Sequence, residues 1–121
     1  MITIYYVQAQ INVNGINGII MLVTRKDNGK TIELFLRDLL EVRLPESQVS
    51  GYMWELNEDK KSCIMLIDSD YAERGPARFN GLGERSWFFE PVSSGMCTLK
   101  FSLIRPWSKP SPEFMINVIV K

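Results

Sequence analysis

Apolar and polar residues alternate with a period of two along most of the chain. Ile32, Leu34 and Leu36 alternate with Glu33 and Arg37, and Leu40, Val42 and Leu44 with Glu41 and Arg43. Successive side chains of an extended strand point to opposite faces, so each run predicts a half-buried strand. Further on, Cys97, Leu99, Phe101 and Leu103 share one face while Thr98, Lys100 and Ser102 take the other, and Phe114, Ile116, Val118 and Val120 repeat the pattern. These last two runs are the most regular in the chain.

Asn14-Gly15, Asn17-Gly18, Asn28-Gly29 and Asn80-Gly81 punctuate the runs. Asparagine and glycine accept the positive φ of tight turns, and the first and third pairs lie between apolar runs, as hairpin turns do. The segment from Ile2 to Arg25 reads as two more strands joined near Asn14-Gly15. No stretch carries the periodicity of a long amphipathic helix. Eight or more short strands without helical crossovers predict an all-β protein, an antiparallel sandwich or barrel. With no internal repeat, low-complexity tract or linker, residues 1–121 read as a single domain.

Composition narrows the function more than the fold. The 121 residues suffice to bury a core without a disulfide or a metal. The 14 basic and 14 acidic side chains cancel, and the cations are scattered, which argues against nucleic acid as a partner. No apolar run approaches the roughly 18 residues of a membrane span, so no membrane partner is expected. The Met1 end lacks the order of a signal peptide, which favours an intracellular protein; a monomer is expected.

The chain has no histidine. That excludes Ser-His-Asp and Cys-His catalysis, His-ligated zinc and proton transfer through imidazole. Two cysteines cannot by themselves hold a tetrahedral metal, and no cofactor is expected. Asp68-Ser69-Asp70 and Glu58-Asp59 could hold a hard cation or act as an acid–base pair, but both read more simply as solvated loops. The composition therefore favours a binding module over an enzyme. Cys97 falls on the inward face of its strand and reads as a buried free thiol; spacing leaves open whether Cys63 reaches it.

Three segments hold residues that strand patterning leaves over. In the first, small and polar residues run from Ser47 through Gln48, Val49 and Ser50 to Gly51, after which Tyr52, Trp54 and Leu56 share a face of a new strand. The second, around Asn80, Gly81, Leu82, Gly83 and Glu84, reads as a flexible turn. It lacks the longer glycine pattern and following helix that a phosphate cradle needs. The third, Ile104 to Glu113, carries three prolines and reads as a stiff loop presenting Trp107, either as a binding hot spot or folded back over the end of the sheets.

Together these segments resemble the chagasin-type inhibitors of papain-like cysteine proteases. That family carries Asn-Pro-Thr-Thr-Gly followed by an aromatic, any residue and Trp, then Gly-x-Gly-Gly, then Arg-Pro-Trp or Arg-Pro-Phe leading through prolines into a final alternating strand. Gly51, Tyr52 and Trp54 match the first motif, Gly81 and Gly83 the second, and Arg105, Pro106 and Trp107 the third, in the same order and spacing. Ser47-Gln48-Val49-Ser50 replaces Asn-Pro-Thr-Thr, and Glu84 replaces the last glycine. The first 25 or so residues fall outside the resemblance and read as an added N-terminal hairpin.

The resemblance implies an immunoglobulin-like antiparallel sandwich whose loops at one end wedge into a protease cleft. Ser47, Gln48, Val49, Ser50 and Gly51 would lie over the catalytic cysteine beside Tyr52. Gly81, Leu82, Gly83 and Glu84 would grip one side, and Arg105, Pro106 and Trp107 the other. Inhibition would be competitive, reversible and non-covalent. The competing reading is an immunoglobulin-like module that binds another protein or a glycan without inhibiting anything.

Overall fold

The alternating runs become strands whose apolar faces close on one another. The structure is a computed structural model that describes residues 7–13, 15–47, 51–57, 62–73 and 82–121. Among these, nine strands follow in order: β1 (Val7–Val13), β2 (Ile16–Thr24), β3 (Thr31–Leu34), β4 (Leu39–Ser47), β5 (Met53–Asn57), β6 (Ile64–Glu73), β7 (Leu82–Pro91), β8 (Gly95–Arg105) and β9 (Ser108–Val120). They form a five-stranded sheet in the order β1-β2-β4-β7-β6 and a four-stranded sheet in the order β3-β9-β8-β5.

The core is the one that the alternation predicts. Cys97, Leu99, Phe101 and Leu103 of β8 and Phe114, Ile116, Val118 and Val120 of β9 are all buried, facing Leu40, Val42 and Leu44 of β4 and Trp87 and Phe89 of β7. Each such side chain contributes about 1.5–3 kcal/mol on leaving water. Phe101 meets Trp87 of the other sheet at 4.7 Å between ring centres and Phe114 of its own sheet at 5.7 Å. The predicted N-terminal hairpin forms, with Val13 opposite Ile16, and β2 adds Met21 and Val23 to the core. Gly15 lies in that turn; Asn14 is outside the described residues.

Several expectations need correction. The sheets are not wholly antiparallel, because β2 runs parallel to β4 and β3 parallel to β9. Asn28-Gly29 is accordingly no hairpin turn. The Asn28 side chain accepts the Met115 N–H at 2.9 Å and the Gly29 N–H donates to the Met115 carbonyl at 2.7 Å, so the chain is captured by β9 and crosses between the sheets. Asn17-Gly18 lies inside β2.

The strand predicted from Ile32 to Leu36 ends at Leu34. The buried Asp38 carboxylate accepts the Phe35 N–H at 2.8 Å and the Ile19 N–H at 3.1 Å, and the turn so formed leaves Leu36 exposed. Glu41, placed by alternation on the solvent side, is buried. Arg43 donates to its Oε2 at 2.8 and 3.0 Å and Ser86 at 3.1 Å, which compensates the carboxylate for lost hydration.

Asp68-Ser69-Asp70 is part of β6, an exposed edge strand, and not a loop; Glu58-Asp59 lies outside the described residues. Cys97 is no free thiol. It forms a disulfide with Cys63, at a Cα–Cα distance of 5.7 Å, and ties the start of β6 in one sheet to β8 in the other.

Candidate functional site

The ends of β4 and β8 and the starts of β5, β7 and β9 meet at one end of the sandwich. Their register places them there: Ser47 lies opposite Leu82, Met53 opposite Ile104, and Arg105 opposite Ser108. The base of this end is held by a buried carboxylate. Glu46 Oε1 accepts the Trp54 N–H at 2.8 Å, and Oε2 accepts from Arg85 Nε at 2.9 Å, so one side chain joins β4, β5 and β7. The Trp54 indole N–H donates back to the Pro45 carbonyl at 2.8 Å. Trp54 is therefore a core residue that also fixes where the first loop leaves and returns.

The third segment is a hairpin more than a loop. β8 runs to Arg105 and β9 starts at Ser108, leaving Pro106 and Trp107 as the turn. Pro110 and Pro112 lie within β9 itself. β3 pairs with β9 only from Asn117 onward, so among the described residues no strand pairs with Pro110 or Pro112 on that side to miss a proline N–H. Trp107 is not folded back: it is 67% exposed. Its ring meets the edge of Tyr52 at 5.8 Å, and the Arg105 guanidinium lies 5.6 Å from the centre of the Tyr52 ring. Arg105 also pairs with Glu113 at 3.3 Å.

Gly51 lies against this hairpin with φ +76°, and a Cβ there would stand 3.4 Å from Pro106 Cγ. The left-handed backbone favours glycine, and the contact with Pro106 is an ordinary packing distance. Gly51, Tyr52, Arg105, Pro106 and Trp107 are thus brought together, with Ser47 ending β4 nearby. Gln48, Val49 and Ser50 lie outside the described residues, as does Gly81.

Leu82, Gly83 and Glu84 are the first residues of β7 and not a flexible turn. A Cβ on Gly83 would fall 2.5 Å from Tyr71 Oη and 2.6 Å from the Ala72 carbonyl oxygen. The second glycine of that motif therefore admits β6 and its tyrosine.

Sequence reasoning did not assign a role to Glu46, Arg85 or Arg25. A signal for Glu46 was present, since period two puts it on the inward face after Leu40, Val42 and Leu44, where a carboxylate needs a partner. Arg85 is the counter-ion it finds in space. Arg25, from the 3-10 turn at Arg25–Asp27 after β2, places its guanidinium 5.7 Å from the centre of the Trp54 ring. No sequence spacing relates that pair.

Comparison with known proteins gives the family and the fold. Amoebiasin-2 of Entamoeba histolytica is 26% identical over 106 residues, covering 84% of this chain and 86% of the relative. Chagasin of Trypanosoma cruzi is 22% identical over 95 residues, covering 75% of this chain and 86% of the relative. A crystal structure of a cysteine protease inhibitor from Entamoeba histolytica superposes with a TM-score of 0.72 at 21% identity, covering 84% of this chain and 96% of that one. This likeness shows the fold, an immunoglobulin-like β-sandwich. The model of the chagasin family of peptidase inhibitors matches residues 33–118, well over half of the chain, and this protein belongs to that family of inhibitors and is not an enzyme.

Proposed function

We propose that the chain is a reversible, non-covalent, competitive inhibitor of papain-like cysteine proteases. The end of the sandwich that carries Ser47, Gly51, Tyr52 and the Arg105-Pro106-Trp107 turn would enter the active-site cleft. The observation that supports this most is the exposed Trp107 set on a two-residue turn and steadied by Tyr52 and Arg105. A large exposed aromatic that already rests against a neighbouring ring offers apolar area for a partner to cover, as binding hot spots do.

The chemistry fits an inhibitor that occupies a cleft and performs no reaction. Small residues from Ser47 to Gly51 would bring backbone close to the catalytic cysteine, with Gln48, Val49 and Ser50 at the tip. Gly81, Leu82, Gly83 and Glu84, at and before the start of β7, would contact the opposite wall from Trp107. Three such segments can supply an interface of ordinary size, roughly 800 Å² per partner.

Titrating papain or a cathepsin with the protein tests the proposal. Stoichiometric loss of activity, relieved by raising substrate, is expected. No effect at micromolar concentration would overturn it and leave a binding module without inhibitory activity.

A further inference from the structure

Beside the proposed cleft-binding end, a groove runs down the flank of the sandwich, lined by Arg25, Glu46, Tyr52, Trp54, Leu103 and Arg105 among others. We infer that this groove receives an acidic side chain from the rim of the partner protease, held chiefly by Arg25. The inference rests on the proposed function and deepens it, because the groove shares Ser47, Tyr52 and Arg105 with the proposed interface.

The charge balance identifies the occupant. Glu46 is already engaged on both oxygens, by the Trp54 N–H and by Arg85, whose positive charge balances it. Arg105 pairs with Glu113, at 3.3 Å and partly in solvent. Among the described residues Arg25 makes no ion pair; its guanidinium instead lies over the Trp54 ring, at 5.7 Å. Among the described residues, the groove thus carries positive charge without a matching carboxylate.

Its floor strengthens the effect. Trp54 and Leu103 are buried, so part of the lining beside Arg25 is apolar. The guanidinium presents several N–H donors in a planar fork that suits a carboxylate. Arg25 lies on the 3-10 turn after β2, before the residues 33–118 that the family model matches, and a charge there would tune which proteases the chain prefers.

The experiment compares inhibition constants and association rates of the unaltered protein with Arg25→Glu, Arg25→Gln and Arg25→Lys, across several papain-like proteases at low and high salt. Arg25 is exposed, so the variants should fold, which circular dichroism checks. Against the best-inhibited protease at low salt, Arg25→Glu should raise the inhibition constant by about tenfold or more, mostly through slower association. Arg25→Gln should lose less and Arg25→Lys least, and the differences should shrink at high salt.

Unchanged constants for Arg25→Glu against every protease that the unaltered protein inhibits would overturn the groove inference while leaving the proposed function standing. Equal, salt-independent losses in Arg25→Gln and Arg25→Lys would also overturn it, by assigning Arg25 a packing role. If the unaltered protein inhibits none, the proposed function fails and the inference with it.

Discussion

The two ends of the sandwich are closed by different chemistry. At the end that carries Trp107, the sheets are joined by hydrogen bonds through a buried carboxylate, with Glu46 accepting from Trp54 across the layers and from Arg85 within its own sheet. Toward the opposite end, they are joined by the Cys63–Cys97 disulfide. A covalent link constrains the unfolded chain and is indifferent to the details of nearby loops. A carboxylate with two directed partners instead fixes the angle and register at which strands leave the core. The difference assigns stability to one end and loop geometry to the other.

The largest test of that division is the disulfide. Replacing Cys63 and Cys97 by serine opens a link between residues separated by 34 positions and should cost about 3–4 kcal/mol of stability on the loop-entropy estimate. Denaturant unfolding measures the loss. Protease inhibition by the fraction that stays folded should be unchanged, and weakened inhibition would show that the two ends are not independent.

Trp107→Ala sharpens the same comparison from the other side. Binding to a papain-like protease should weaken by about 2 kcal/mol or more, as truncated hot spots do, while the unfolding midpoint stays put because the side chain is mostly solvated. An unchanged inhibition constant would remove Trp107 from the interface.

The smallest expected effect falls on Gly51. Alanine there must adopt a positive φ beside Pro106, at a cost of about 1 kcal/mol. Since that contact joins the first loop to the Pro106-Trp107 turn, the loss should appear in inhibition as well as in thermal stability. A loss in stability alone would mean that the two loops bind independently.

How legible each part was depended on whether its cause was local. The β8 and β9 faces were readable because burial follows period two wherever a strand has one wet and one dry side. The same rule failed at Leu36, where Asp38 turns the chain early, and at Glu41, where Arg43 and Ser86 replace water. Asn28-Gly29 had the residues of a hairpin, but its outcome was decided by Met115, 86 positions further on from Gly29.

The candidate site divides in the same way. Gly51, Tyr52, Arg105, Pro106 and Trp107 could be named from motif order, yet their meeting as one cluster depends on the register between β5, β8 and β9. Gly83 could be named too, but its need for space comes from Tyr71 on the neighbouring strand.

By itself the sequence determined that the chain folds as an all-β domain with these inward faces, that histidine chemistry is closed to it, and which family's motifs it carries. Those properties are set residue by residue, through alternation, composition and short spacing. The tertiary structure alone decided that Cys63 bonds Cys97, that Glu46 clamps three strands, that two strand pairs run parallel, and that Arg25 stands over Trp54. Each of these joins residues distant along the chain, and their partners are chosen by sheet register and by the need of buried charge and polar groups to be satisfied, which no local pattern encodes.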